Sequence, residues 1–471
     1  MGRGKVLTIG FLCLLVLLSG VPDTYESGVP DTYDSAIVFM ADNFHNVHRD
    51  NLGSKSTPFV VQGNTNTGTL AYVGGYSMYA DHIYLRAYYI TGNRTYLDWT
   101  VELVDWMWNN QMENALLSDY NPVTDTLIHY TDITVYISFI GSNVELYLAT
   151  GQPRFLYRAT QMTDLFWSKL TDQTTGAPLK AGFNSTTLQP DGARFHTDFD
   201  KWHLPPLAAI AKLTDSAYYK QRLWTYVSFI GSFPLVPRDV ITGNQVSDFI
   251  DTFRPFQHIE GVFYVYEILG DVRYRDLAVR ELTDLDAASW LGQGCTLICG
   301  ESNQYGMLIG MSGNLLDDHF DYMNADVLNV LPVAYNVTGD IKWKNRLDQM
   351  LDLLMVRYYE YGVYHKPILD GRGNVSDFIG NSMKFPDTLL AALDYARFWI
   401  PSDSRYQTNI DIVIAGSQGY RMLYGYGQTY DGVGQKIQSP VYYEYMFFES
   451  PFRDLVLHMR QFEIRLNSIG A

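Results

Sequence analysis

Apolar residues recur at helical spacing through most of this chain, and short polar corners interrupt them at regular points. The corners read "YYITGNRTY", "YLATGQPRF", "AKLTDSAYY", "YEILGDVRY", "YNVTGDIKW" and "FWIPSDSRY", indexed on Gly92, Gly151, Asp215, Gly270, Gly339 and Ser402. An aromatic residue stands four positions after each index: Tyr96, Phe155, Tyr219, Tyr274, Trp343 and Tyr406. Four positions before it stand Tyr88, Tyr147, Ala211, Tyr266, Tyr335 and Phe398. This repeat predicts αα-hairpins, in which one helix ends on a Gly or polar C-cap and the next opens at once on its own Asn, Asp or Ser cap. Runs such as "YMNADVLNVLPVAYNV" and "WKNRLDQMLDLLMV" carry the apolar stripe of helices that pack on one side. Pro332 is expected to kink the first of these or to shift its start.

The links between hairpins are long and rich in Gly, Pro, Asn and Thr: 112–128, 172–197, 232–250, 291–316 and 360–377. Six hairpins with short corners at one end and long loops at the other resemble the (α/α)6 toroid of the six-hairpin glycosidase and polysaccharide-lyase superfamily, over residues 70–467. The resemblance implies an all-α toroid that binds saccharides at the end carrying the long loops. A helix at 33–48 would close the outer ring or open a seventh hairpin. The Gly/Tyr-rich run "DIVIAGSQGYRMLYGYGQTYDGVGQK" is expected to form a loop or short β-hairpin near the C-terminal end.

Arg3 and Lys5 followed by apolar Val6 to Leu18 read as a signal peptide or signal anchor, over 1–20. The tandem "GVPDTYES" and "GVPDTYDS" reads as a spacer over 21–36, leaving 37–471 as one toroid domain. The expected location is secreted or on the extracellular surface. Beyond the leader no stretch is apolar enough for a membrane helix. Cys295 and Cys299 in "GCTLICG" suit a local disulfide in an exported chain and are too few to build a zinc site. The sequons at Asn93, Asn184, Asn336 and Asn374 matter only if the host glycosylates.

A net charge of −17 argues against nucleic acid as a partner, because phosphate binding draws on clustered Lys and Arg. It also disfavours acidic polysaccharides, unless a local basic groove overrides it. The 36 Tyr, 24 Phe and 9 Trp suit sugar faces, although most of the tyrosines are expected to fill helix contacts. An oligo- or polysaccharide is the expected partner.

Counting back about five turns, roughly 27 Å, from each corner reaches the helix starts at the loop end. There the chain places His129 and Asp132, then His196 and Asp198, then Asp248 and Asp251, then "DDHFD" from Asp317 to Asp321, then Asn381 and Lys384. Asp favours any helix start, which accounts for one aspartate at each place but not for the accompanying histidines. The dense stretches "RFHTDFDKWH" and "LLDDHFDYM" suit glycoside hydrolysis, which needs one protonated and one ionised carboxyl group. Asp317 and Asp318 look like the Asp-Asp pair of toroidal mannanases, and Asp198 or Asp200 would supply a partner. Trp202, His196, His203, Arg254, His258, His319 and Asp321 are expected around the substrate, with His129, Asp132, Lys384 and Tyr430; His203 and His258 suit a satisfied core equally well.

The alternative chemistry is β-elimination or C5-epimerisation of a uronate, with a Tyr or His base and a cation drawn from His196, Arg254, His258, Lys384 and Tyr430. A non-catalytic surface or filament protein on the same scaffold is the third reading. No cofactor is expected; Asp198 with Asp200, or Asp317, Asp318 and Asp321, offers oxygen ligands for Ca²⁺ without a full EF-hand spacing. The HExxH and GxSxG strings of zinc and serine hydrolases are absent.

Overall fold

A computed structural model describes residues 33–43, 45, 63–64, 69–70, 78–121, 124–191, 200–232, 253–289, 319–361, 365–369, 375–381, 384–413, 429–430, 436–438 and 453–469. The corners set the fold. Gly92, Gly151, Gly270 and Gly339 adopt φ between 67° and 70°, the left-handed conformation that stops a helix at little cost to glycine. Their N–H groups donate to the carbonyls of Tyr88, Tyr147, Tyr266 and Tyr335 at 2.7–2.8 Å, the residues four positions earlier. Directly after them the side chains of Asn93, Asp271 and Asp340 accept from the backbone N–H of Thr95, Arg273 and Lys342 and start the next helix.

The hairpins pair an inner with an outer helix. The first is α2 (Met78–Thr91) with α3 (Arg94–Gln111), after α1 (Tyr33–Asn43); the second is α4 (Ile133–Thr150) with α5 (Pro153–Leu165). Then follow α6 (Asp200–Leu213) with α7 (Ala217–Ile230), α8 (Phe253–Leu269) with α9 (Val272–Ser289), and α10 (His319–Thr338) with α11 (Ile341–Tyr361). The last is α12 (Lys384–Trp399) with α13 (405–413). The fold is the all-α (α/α)6 toroid that the corners predict. Pro332 lies inside α10 rather than at its start, and Pro205 and Pro206 lie inside α6.

Successive inner helices pack side by side from α4 to α12. The ring closes between α12 and α2, where Arg86 donates to Asp394 at 2.5 Å. Outside, α1 packs on α2 and its Asp34 lies 3.9 Å from Arg397 of α12, so it bridges the first and last hairpins instead of opening a seventh. It begins at Tyr33, inside the second copy of the tandem spacer. The corner tyrosines lock neighbouring hairpins together. Tyr96 donates to Asp42 of α1, Tyr219 to Asp164 of α5 and Tyr406 to Asp348 of α11, each time the preceding outer helix.

Short antiparallel strands decorate the long links, among them Tyr130–Asp132 on Gly182–Asn184 and His365–Leu369 on Val375–Asn381. In the Gly/Tyr-rich run, Thr429–Tyr430 pairs with Lys436–Gln438. Among the described residues no helix is long and apolar enough to cross a membrane.

One element has no place in a ring of hairpins. The helix α14 (Arg453–Ile469) packs against α4, α6 and α8 together, near their corner ends. Its Leu455, Val456 and Met459 are buried. It lies against the corner end of the ring on the side of these helices.

Candidate functional site

The inner helices present polar groups on two different faces, and the contacts separate them. Lumen positions are those that meet α14. His458 lies 2.7 Å from Glu145 of α4 and stacks on Tyr89 of α2 at 3.6 Å between ring centroids. Arg86 lies 3.7 Å from Asp454, Arg460 pairs with Glu267 of α8, and Lys212 of α6 pairs with Glu463. Tyr89, Lys212 and Glu267 stand three residues before their corners, and Arg86 and Glu145 stand six before. The lumen stripe therefore continues, at helical spacing, ten and thirteen residues before each corner.

Those positions hold His82 on α2, Ser138 on α4, Trp202 on α6, Gln257 and Glu260 on α8, and Asn329 on α10, all buried. Glu260 is the anchor of this layer. It accepts from Tyr264 of its own helix at 3.0 Å and from Tyr395 of α12 at 2.7 Å. Because α10 stands between α8 and α12, that second bond runs along the lumen face. Asn329 occupies the same repeat position as Glu260, and neither its amide nitrogen nor its amide oxygen has a hydrogen-bond partner among the described residues. The Ser138 hydroxyl is in the same condition. Buried polar atoms left unpaired cost stability, and sites that receive a ligand are one place where chains retain them.

Burial keeps His82 of this layer and its neighbour Asp81 uncharged at neutral pH. Burial pushes the Asp81 carboxyl up to about 8, over the opposing pull of Ser142 and the His82 N–H, with the charge of Glu145 adding to the rise. Burial also pulls His82 down to about 3, over the attraction of Asp454, so its imidazole is neutral. Around this space Glu145, Glu260, Glu267 and Asp394, with Asp454 and Glu463 of α14, stand against Arg86, Lys212 and Arg460, so acids outnumber bases although Asp81 is uncharged at neutral pH.

The second polar face looks into the wall. Asp200, at the start of α6, accepts from Tyr226 of α7, and its other oxygen lies 2.8 Å from His258 of α8. The far nitrogen of His258 lies 3.5 Å from Glu281 of α9. His203 reaches Thr134 of α4 at 3.1 Å and stands 3.7 Å from Asp200. Burial would raise Asp200, but bonds from His203 and His258 outweigh it and hold the carboxyl low. Burial would likewise lower His258, and the charges of Glu281 and Asp200 outweigh it. Burial raises Glu281 to about 7. The α8 backbone comes close here: a Cβ on Gly261 would stand 2.7 Å from the Asp200 carbonyl oxygen.

These contacts correct several expectations. Asp200 is fully buried and bonded within the wall, so it is neither a rim carboxylate nor an open oxygen ligand for Ca²⁺. His203 and His258 are buried, with one ring nitrogen of each placed on Thr134 and on Asp200. Asp132 caps α4, accepting from Thr134 N–H at 2.8 Å. His129 sits on the outer links, 2.9 Å from Glu113. Burial would raise the Glu113 carboxyl, but bonds from His129, Ser185, Thr186 and Ser118 hold it at about 2. Trp202 is the one expected substrate contact that lies on the lumen stripe with its side chain described.

Asp198, His196, Asp317, Asp318, Cys295 and Cys299 lie outside the described residues. Of Arg254, His319, Asp321, Lys384 and Tyr430 the backbone alone is described: the first four fall at helix starts on α8, α10 and α12, and Tyr430 lies in a strand. Among the described residues no cluster of three His, Cys, Asp or Glu could hold a metal ion.

No protein-family model matches the sequence, and no curated protein sequence does. Solved structures of the same fold do. A cellobiose 2-epimerase from Bacillus thermoamylovorans B4167 aligns with TM-score 0.50 and 13% identity, over 77% of this chain and 98% of that one. A D-mannose isomerase aligns with TM-score 0.51 and 12% identity, over 82% and 99%. The GH76 alpha-mannanase of Bacteroides thetaiotaomicron aligns with TM-score 0.47 and 13% identity, over 78% and 98%. At this identity they share the fold with the chain: it is an (α/α)6 toroid.

Proposed function

We propose that the protein is a carbohydrate-active enzyme working on neutral sugars in the lumen between α14 and the long-loop rim. The observation that carries this reading is the buried layer built around Glu260, Tyr264, Tyr395 and Asn329, drawn from three inner helices. The acidic surround disfavours a uronate, and with it the lyase and C5-epimerase chemistry. Hydrolysis is the first reading. A protonated carboxyl donates to the leaving glycosidic oxygen while an ionised one activates water or attacks the anomeric carbon. Asp317 and Asp318, from the sequence, and Glu260, from the lumen, are the carboxylates we assign to it.

A second reading, conversion of a free sugar by epimerisation or isomerisation, would draw on the His82 imidazole of the lumen stripe, which burial keeps uncharged and makes a weak base. The two structures with the higher TM-scores, named for cellobiose and D-mannose, are consistent with a small neutral substrate. Export of the chain, with the disulfide and glycans that would accompany it, belongs to the same proposal.

Wild type, Asp318→Asn and Glu260→Gln would be incubated with a panel of neutral glycans and free sugars. New reducing ends, lost in both variants, support hydrolysis. A changed sugar composition with deuterium taken up from heavy water supports the second reading. Ultraviolet absorbance from an unsaturated uronate on acidic glycans would overturn both, and silence throughout would leave the non-catalytic scaffold.

A further inference from the structure

The corner end of the ring carries a pocket that the lumen chemistry does not use. Its volume is about 400 Å³, within the roughly 300–1,000 Å³ usual for small-molecule sites. Tyr88 and Tyr89 of α2, Ala149 of α4, and Gln461 and Ile464 of α14 line it. Tyr89 and Ile464 are exposed, at 37% and 68%. Tyr89 is nevertheless a held ring: it stacks at 3.6 Å on His458, which is buried and lies 2.7 Å from Glu145. Tyr88 packs against the core beside it, with ring centroids 5.2 Å apart and planes tilted by 54°. The pocket therefore offers two aromatic rings at an angle, an amide and two aliphatic groups. Tyr89 stands seven residues beyond His82 on α2, about 10 Å along the helix from the buried polar layer.

No charged side chain lines this pocket, so an ion would find no counter-charge in its walls. A hydrocarbon chain would cover the Gln461 amide without bonding to it. A sugar ring suits both features: its C–H face packs on an aromatic ring, and its hydroxyls donate and accept as the amide does. We infer that this pocket is a second saccharide site, non-catalytic and at the corner end of the hairpins, which holds a short stretch of neutral glycan. It goes beyond the activity proposed above and stands whether or not the lumen is catalytic.

The test titrates the full chain with cello-, manno- and xylotetraose in a calorimeter and follows hydrogen exchange in the same mixtures. At least one series should bind and slow exchange over 86–92 and 457–465. Tyr89→Ala removes the held ring, and Ile464→Asp sets a charge on an exposed position that the core does not need; each should weaken that binding about tenfold. Glu260→Gln, in the lumen, should leave it unchanged.

Binding that protects only the helices around Glu260, untouched by both corner variants, would overturn the inference and keep the carbohydrate reading. Corner protection without turnover of any sugar would remove the enzyme reading and keep the inference. Choline or octyl glucoside held about tenfold or more above methyl glucoside would make the pocket a cation or hydrocarbon site and overturn it. Self-association abolished by Ile464→Asp, with no sugar protecting the corner, would make it an interface between copies instead. Absence of binding to every probe would overturn it as well.

Discussion

Glu281 offers a quantitative test of the wall network. Its carboxylate is buried beside His258, and burial raises it from 4.5 to about 7. A raised folded value means that the folded chain binds the proton more tightly than the unfolded chain. The corresponding stability is fully present below pH 4.5 and is lost as pH rises through about 7. That interval of about 2.5 units, at roughly 1.4 kcal/mol per unit, makes about 3 kcal/mol of pH-dependent stability. Glu281→Gln keeps the shape and removes the titration. His258 is raised too and adds loss in the same direction, while the depressed Asp200 loses its contribution only toward acid pH. Asp200 keeps its own titration in the variant, whereas His258 loses the Glu281 charge, the largest of the causes that raise it, so its pH-dependent loss shrinks there and adds to the divergence. Urea unfolding of the two proteins at intervals from pH 4 to pH 8.5 should therefore give curves that diverge by about 3 kcal/mol or more in favour of Gln as pH rises. Any constant offset reports the amide itself, so the slope is what decides. Parallel curves over this range would refute the argument.

Gly261→Ala should destabilise by about 1–3 kcal/mol in the same unfolding assay, because the new Cβ meets Asp200 backbone and outweighs the gain in helix propensity. Arg86→Met takes one of two arginine partners from the buried Asp394, Arg397 keeping the other, and should cost about 2 kcal/mol; an equal cost in an Asp394→Asn background would count against the pair. Gly151→Ala forces a side chain into φ 69° with free space around it, so a loss of about 1 kcal/mol in denaturant midpoint should come from backbone strain alone. Glu260→Gln should lower kcat on the active sugar about a hundredfold or more while leaving the melting temperature within a few degrees; full activity would place the chemistry elsewhere.

The corners made the ring legible. Gly92, Gly151, Gly270 and Gly339 are needed for the left-handed turn whatever the surroundings, so they stand out in sequence. The same index would have found the lumen stripe, since Glu260 and Asn329 each fall ten residues before a corner glycine. Attention to helix starts instead favoured His203 and His258, which stand twelve residues before Asp215 and Gly270. Two residues are about 200° around a helix, enough to turn a side chain from lumen to wall. Asp200 was misread for a related reason: a carboxylate in a first turn looks like a cap or a site acid, and only its partners on α7 and α8 reveal a wall group. The position of α14 against the inner helices leaves no local signal, because an amphipathic helix with charges on its flank reads the same whatever it packs on.

That position has a consequence for biosynthesis. The ribosome makes α14 after every helix of the ring, yet α2, α4, α6 and α8 all meet it. Hairpins can collapse in order as they emerge, with corner tyrosines pinning the first to α1, the third to the second and the sixth to the fifth. Until α14 arrives, Glu145, Lys212 and Glu267 face the lumen without their partners from that helix. A nascent chain stalled before residue 453 would therefore hold a ring complete in outline and bare where α14 rests. Quality-control proteases would meet that intermediate, and synthesis of α14 would decide which chains escape them.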